Sequence, residues 1–390
     1  MSGLRILTAG ESHGQCLTGI IEGLPAGLTL DRDEIDFQLW RRQQGCGRGK
    51  RMDIESDKIE ILSGVRFGLT TGAPVSLRVI NKDWENWKEK MSVWEGKKTD
   101  AVSVPRPGHA DLAGAHKYGH SDIRNVLERA SARETAMRVA IGSVCRQLLH
   151  RFDMIICGHV IQIGSVKSPL SFRGLLDESE EKMRGSMLEL AEKAEKSPVS
   201  CADALAAEKM IAEIEKAAAE GDSTGGVFET AALNVPAGLG SYAMWDRRLE
   251  ACIASDIMSI PAVKSVEVGL GADCALRMGS AFHDPVIKDK KGKLTRLSNR
   301  AGGIEGGISN GMPIVIRAAM KPIPTLTRPL QSVDLQTGLA ADAHKERTDS
   351  CAVPAASVIA ESMLCISLAG AVCGTYGSDT VAQIEKQIHG

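Results

Sequence analysis

Short β-branched runs and longer stretches with apolar residues at helical spacing follow one another along the chain, mostly punctuated by glycine, proline or asparagine. The runs at 4–8, 19–22, 59–63, 75–79, 155–163, 227–235, 265–269 and 313–318 predict strands. Helical spacing predicts helices at 32–43, 122–150, 203–220, 245–258 and 354–372. Ser121 and Asp122 are suitable caps for the second of these. Strands and helices do not alternate regularly, so the expected class is α+β with mostly antiparallel sheet, not a doubly wound parallel fold. Two helices carry small faces, Ala130, Ala132, Ala136, Ala140 and Ser143 in one and Ala355, Ala356, Ala360, Ala369 and Gly370 in the other. Such faces let backbones approach closely, which predicts that both helices are central. No repeat or linker divides the 390 residues, so one domain is expected, with a Glu-, Lys- and Ala-rich stretch at 177–220 as a solvated helical excursion.

Composition narrows the class. The chain is 43% hydrophobic and 25% charged, as in globular proteins able to bury a large core. A formal net charge of -2 argues against a protein that coats nucleic acid or an anionic membrane. Aromatics make up 4%, too few for a stacking platform for single strands. Ten cysteines stand at 16, 46, 145, 157, 201, 252, 274, 351, 365 and 373 without a CxxC pair, which predicts reduced, buried thiols. The first residues run straight into an apolar strand and no eighteen-residue stretch is uninterruptedly apolar, so a cytoplasmic location is expected.

Against that neutral background the chemistry is local. Residues 106–138 hold His109, His116 and His120 together with Arg106, Arg124, Arg129, Arg133 and Arg138. Arg129 and Arg133 stand four apart, an unfavourable like-charge pair on a bare helix, which with Ser131 between them suggests a bound anion. Salt bridging is the competing explanation, since Arg124 with Glu128 and Glu134 with Arg138 share the same spacing. A second cluster, RRQQGCGRGKRMD at 41–53, combines Arg41, Arg42, Arg48, Lys50 and Arg51 with three glycines that let a backbone approach an anion. It is neither a Walker A loop nor a dinucleotide fingerprint. AGESHG at 9–14 presents Ser12 and His13 on a tight turn, where a histidine can move a proton near neutral pH.

Towards the C-terminus, AGGIEGGISNG at 301–311 feeds a strand that ends in Lys321, Pro322, Ile323, Pro324 and Thr325. Arg347 and Asp349 then precede a helix opened by Pro354, an anion-friendly position unless Asp349 simply caps that helix. Metal binding by His109, Asp111, His116 and His120 lacks a ligand motif, and Gly114 and Gly119 predict a loop there. Metal is therefore not expected. RNA binding through 41–51 and a metal-dependent phosphate hydrolase are the rival classes.

Together, GESHG (10–14), RRQQGCGRGKRMDIE (41–55), ILSGV with TTGAPVSL (61–65, 70–77), RPGHAD (106–111), ERASARETAMR (128–138), GGIEGGISNG (302–311), KPIPT (321–325) and RTDSCAVPAAS (347–357) resemble the chorismate synthase family across essentially the whole chain. The resemblance implies a sandwich of antiparallel sheets around central helices, assembled as a homotetramer. It implies a lyase of aromatic amino acid biosynthesis that converts 5-enolpyruvylshikimate 3-phosphate to chorismate by 1,4-anti elimination of phosphate, requiring reduced FMN without net redox change. The residues it points to as catalytic are His13, His109 and Asp349. Substrate contacts would come from Ser12, Arg42, Arg48, Arg51, Arg106, Ser131, Arg133 and Arg347. FMN contacts would come from Arg129, Ala130, Ser131, Pro261, Ala262, Gly306, Lys321, Pro322, Ile323, Pro324, Thr325 and Arg347. Proline stands at 261 where many of the family carry asparagine, so contact there is limited to its carbonyl or ring. Either NADPH, touching Arg42 and Arg48, or an external flavin reductase would keep the flavin reduced.

Overall fold

Two antiparallel sheets enclose a layer of helices. In the computed structural model, which describes residues 3–49, 56–94, 101–290, 292–346 and 348–389, the first sheet orders its strands as Arg5–Ala9, Cys16–Glu22, Val75–Ile80 and Ile59–Ser63. The second orders them as Val263–Val268, Ile314–Met320, Gly226–Leu233, Ile155–Ile163 and Val166–Lys167. Every pairing in both sheets is antiparallel. The α+β class and the irregular strand order expected from the sequence are therefore the observed ones.

The helices are α1 (Arg32–Gln43), α2 (Asp111–Tyr118), α3 (Arg124–Arg129), α4 (Thr135–His150), α5 (Glu180–Glu195), α6 (Ala204–Ala219), α7 (Leu249–Met258), α8 (Gly279–Phe282), α9 (Val353–Tyr376) and α10 (Val381–His389). Helix α4 lies against the first sheet and α9 against the second, with the two helices packed on each other. Both helices are central, as expected, and they approach closely: a Cβ added at Gly142 of α4 would stand 2.4 Å from the Cβ of Ser362 in α9. Ile141, Val144 and Leu148 of α4 share the main core with Leu364 and Leu368 of α9 and are fully buried, each contributing about 1.5–3 kcal/mol.

Helix α9 has the length and mean hydropathy, 1.8, of a membrane span, yet 89% of that window is buried inside the protein. Its carboxylate, Glu361, is 2% exposed. Arg41 Nη1 and Nη2 donate to it at 2.8 and 3.1 Å, and Arg146 Nη2 at 2.7 Å. Burial alone would raise the Glu361 carboxyl, but the two guanidinium groups hold it below the ordinary range.

Three expectations need correction. The stretch 122–150 is not one helix: α3 ends at Arg129, Ser131 is extended, and a 3-10 turn at Ala132–Glu134 leads into α4. Ser131 Oγ accepts from the Arg133 backbone N–H, and this local hydrogen bond restarts the helix in a new direction. Residues 111–118 are helical, with Gly114 close against Val126 and Gly119 in the left-handed conformation that ends the helix. The 177–220 region is helical but only partly solvated. Met183, Met187, Leu190 and Ala194 of α5 cover the outer face of the second sheet, and Met210 and Ile214 of α6 join the main core. An apolar stripe at helical spacing is hidden there within a Glu- and Lys-rich composition.

Candidate active site

A cavity of about 400 Å³ opens where the N-terminal turn, the 41–49 loop, the α3–α4 break, the 320–325 segment and the start of α9 converge. The first strand ends at Ala9, and the turn after it brings Ser12 and His13 to the wall. Both are buried, at 3% and 6% exposure. His13 Nδ1 lies 2.9 Å from Glu128 Oε1, and the His13 backbone N–H donates to Glu128 Oε2 at 2.8 Å. A carboxylate only accepts, so the proton sits on Nδ1 and Nε2 remains for the cavity. Across the α3–α4 break, Ser131 Oγ donates to Ser12 Oγ at 3.2 Å.

His109 repeats the pattern. Its Nδ1 lies 2.5 Å from Asp111 Oδ1, and Arg106 donates through Nε to Asp111 Oδ2 at 2.8 Å. Asp111 is fully buried. Burial would push its carboxyl up, but hydrogen bonds from His109 and then Arg106 hold it well below the usual carboxylate range. Arg106 also donates to Thr325 Oγ1 at 2.8 Å, which ties the loop bearing His109 to the end of a core strand. Arg106 thus lines the cavity with its donors largely committed inside the protein.

The cationic wall is built from separate elements. Arg42, at the end of α1, donates through Nε to Thr135 Oγ1 at 3.0 Å. Its Nη1 sits 3.6 Å from Asp57 and, although buried, has no hydrogen-bond partner. Desolvation pushes Arg42 down to about 10 even with Asp57 opposing it. Arg133 holds both oxygens of the same Asp57 at 2.7 Å and donates to Asn81 Oδ1 at 2.9 Å. Arg48 pairs with Asp349 at 2.5 Å, and the Gly49 N–H donates to the other Asp349 oxygen at 2.6 Å. Asp349 therefore does not cap α9, whose N-cap is Ala352. Ile214 of α6 packs beneath this loop: a Cβ on Gly47, whose φ is +84°, would meet its Cγ2 at 2.7 Å.

The opposite wall is largely apolar, with Leu127, Ile260, Pro261, Met320, Pro324, Ala355 and Ile359. Ala262 adopts φ 69°, a left-handed backbone that costs a non-glycine residue energy, and its carbonyl accepts from Lys321 N at 2.9 Å. Lys321 Nζ donates to the Gly108 carbonyl at 2.7 Å, and burial together with Lys264 lowers the lysine.

The cavity brings together Ser12, His13, Arg42, Arg48, Arg106, His109, Ala130, Ser131, Arg133, Pro261, Ala262, Lys321, Ile323, Pro324, Thr325 and Asp349 of the sequence-derived set. Arg129, Gly306 and Pro322 do not line it. Arg129 is exposed and donates to the carbonyls of Thr8 and Gly10 at 3.1 Å. Because the chain breaks at Ser131, Arg129 and Arg133 diverge and do not form the like-charge pair expected on a continuous helix. Gly306 forms the turn between the short strands Ile304–Glu305 and Ile308–Ser309. Arg51 and Arg347 lie outside the described residues. Among the described residues, no group of three His, Cys, Asp or Glu is arranged to hold a metal.

Asp57, Asn81, Glu128 and Glu346 were not singled out as site residues by the sequence. Glu128 does pair with Arg124 at 3.3 Å as the i, i+4 spacing suggests, yet its nearer partner is His13, 115 residues away. Glu346 lines the cavity and takes a 2.9 Å hydrogen bond from Arg124.

The family profile described as chorismate synthase matches residues 4–373. The chain is similar to the chorismate synthase of Desulforudis audaxviator, with 52% identity over 98% of this chain and 95% of that protein. It is 51% identical to the chorismate synthase of Aquifex aeolicus, over 98% and 96% respectively. A solved structure described as a crystal structure of chorismate synthase matches with a TM-score of 0.78 at 42% identity, covering 99% of this chain and 96% of that one.

Proposed function

The chain belongs to the chorismate synthase family, and from that premise we propose how its cavity carries out the family's reaction. The reaction is a lyase step, the 1,4-anti elimination of phosphate from 5-enolpyruvylshikimate 3-phosphate to give chorismate. The observation that carries the residue assignment is the convergence of buried His13, half-buried His109 and four arginines on one cavity.

The substrate's phosphate and two carboxylates need cationic partners. Arg42, Arg48 and Arg133 supply them, with Arg42 Nη1 the buried donor left unsatisfied by the protein. Ser12 and Ser131 add hydroxyl donors beside them, and Arg106 acts chiefly by holding Asp111 and His109 in place. Arg51 and Arg347 complete the proposed substrate set by family motif. His13, with Nδ1 committed to Glu128, presents Nε2, which as the imidazolium gives its proton to the departing phosphate and is left as the Nδ1–H tautomer. His109, with Nδ1 committed to Asp111, presents Nε2 as the nitrogen that takes up or gives back a proton. Asp349, fixed by Arg48 and Gly49, offers a carboxylate for the hydrogen that leaves the substrate ring.

The residues also fit reduced FMN. A flat aromatic ring matches the apolar wall of Ile260, Pro261, Met320 and Ile359, and its phosphate matches the cations. Ala130, Ser131, Ala262, Lys321, Ile323, Pro324 and Thr325 would border it. When bound, reduced FMN supplies electron density to the substrate without net redox change. Either NADPH at Arg42 and Arg48 or an external reductase keeps it reduced. The exposed cross-strand pair of Leu7 and Ile20, on the outer face of the first sheet, supports assembly with further copies as a homotetramer, and a cytoplasmic location suits this enzyme.

Anaerobic titration with FMN, with and without substrate, tests the reading. Tight binding of reduced flavin, strengthened by substrate, is expected. An RNA-binding protein or a metal-dependent hydrolase would bind none, and that result would overturn it. Activity with NADPH and FMN alone, free of air and added reductase, separates the two sources of reducing equivalents.

A further inference from the structure

We propose that Glu128 is a positioning residue for the elimination, keeping Nδ1 of His13 protonated and directed inward so that Nε2 is the nitrogen that gains and loses the proton at the cavity, and that Trp87 sets the plane of the same ring. The proposal rests on the reading of His13 as the acid that meets the departing phosphate.

Glu128 itself is outside the cavity lining, and its side chain is fully buried behind His13. It grips the histidine twice. The backbone N–H donates to Oε2 at 2.8 Å, while the ring Nδ1 lies 2.9 Å from Oε1 and 3.1 Å from Oε2. The Ser12 backbone N–H also donates to the Glu128 carbonyl at 3.1 Å, so the whole turn is registered on α3. Such a two-point clamp leaves the imidazole one orientation and one tautomer, because the nitrogen facing a carboxylate must carry the proton.

The ring is held from its face as well. Trp87 stacks on His13 with centroids 3.9 Å apart and planes 18° from parallel. Asp83 anchors the tryptophan by accepting from its Nε1 at 3.3 Å. Arg124 stands 5.2 Å from the same indole, donates to Glu128 at 3.3 Å and to Glu346 at 2.9 Å, and thereby keeps a counter-charge on the buried carboxylate. A chain of contacts thus runs from His13 through Glu128 and Arg124 to Glu346 and His344, joining the N-terminal turn to the segment that leads to Asp349.

A side chain that only stabilised the fold would not change which ring nitrogen is protonated. The Glu128→Gln variant keeps size and shape, but its amide cannot accept on both sides, so it opposes a donor either to the His13 backbone N–H or to the His13 ring and Arg124 together. In the full-length protein, kcat should fall about 10- to 100-fold, a share of the total expected from acid–base catalysis, with KM within threefold. The His13→Ala/Glu128→Gln double variant should be no slower than His13→Ala alone. In ligand-free protein labelled with 15N-histidine, the His13 resonance, identified by its loss in His13→Ala, should depart from the Nδ1–H pattern. Turnover within twofold of the parent, an unchanged 15N pattern, or multiplicative losses in the double variant would each overturn the proposal.

Normal turnover in His13→Ala would instead remove the assigned role of His13, and the 15N pattern would still report on the Glu128 contact. Should Glu128→Gln fail to fold, Trp87→Leu on the half-buried loop provides the second test. It should lower kcat at constant KM and add nothing to His13→Ala; additive loss there would count against the proposal.

Discussion

The two histidines of the cavity share a plan and differ in how it is built. Each has Nδ1 against a buried carboxylate, and each carboxylate is in turn held by an arginine: His13 with Glu128 and Arg124, His109 with Asp111 and Arg106. Around His109 the three residues lie within six positions of one another, so the loop assembles its own constellation. Around His13 the carboxylate comes from a helix 115 residues away, and an indole from a third segment closes the ring's face. The first arrangement is local and stiff from the start. The second exists only once the fold is complete, so its geometry reports on the tertiary structure.

Asp111→Asn should make the difference most visible. It leaves Arg106, 7% exposed, without its counter-ion, and breaking a buried pair costs about 3–5 kcal/mol. Glu128→Gln should cost clearly less, because Arg124 keeps Glu346. Denaturant unfolding of both variants checks the order, and equal losses would break the comparison.

Next in size, His13→Ala and His109→Ala should each lower turnover by roughly one to three orders of magnitude while substrate binding is retained, because general acid–base steps contribute about 10²–10⁴-fold. Steady-state kinetics with a substrate-binding titration decides it. Near-normal turnover in both would remove the catalytic assignment.

The smallest effect concerns acid stability. Burial would raise the Glu346 carboxyl, but His344 and Arg124 hold it down to about 2, against 4.5 for an unperturbed glutamate. A depressed carboxyl stabilises the folded state above its unfolded value and loses that contribution as pH falls through the folded one. The Glu346 share should therefore fade between about 4.5 and about 2, and Glu346→Gln should flatten that part of a stability–pH curve. Asp111, held lower still, should begin to lose its share within the same window and go on losing it at more acid pH.

What could be read in the sequence follows the same division between local and distant. Helix α1 begins and ends where its helical spacing places it, and the structure shows Asp31 capping its start. His13, His109, Arg42, Arg48 and Asp349 stand out because glycine and proline flank them or because charges cluster there. The break at Ser131 was hidden, since one side chain's hydrogen bond to Arg133 N overrides an otherwise continuous helical pattern. Glycine-poor expectations misjudged α2, where Gly114 serves close packing on Val126 instead of a loop. Glu128 looked like half of a surface ion pair, because spacing along a helix says nothing about a partner on the other side of the core. Asp57 and Asn81, which meet Arg133, carry no sequence signal of their own.

The clamped carboxylate of α9 bears on how the protein is made. Arg41 and Arg146 leave the ribosome long before Glu361, and the sheet against which α9 packs is complete in sequence by Met320. Until α9 emerges, the two cations lack the carboxylate they share, with Glu195 near Arg41 and the Ile156 carbonyl on Arg146 as their earlier partners. A late, span-like segment then has to be directed onto that sheet and not into a bilayer. Glu361 gives it a destination, since the charge that would be costly in lipid is the one that both arginines share in the folded protein.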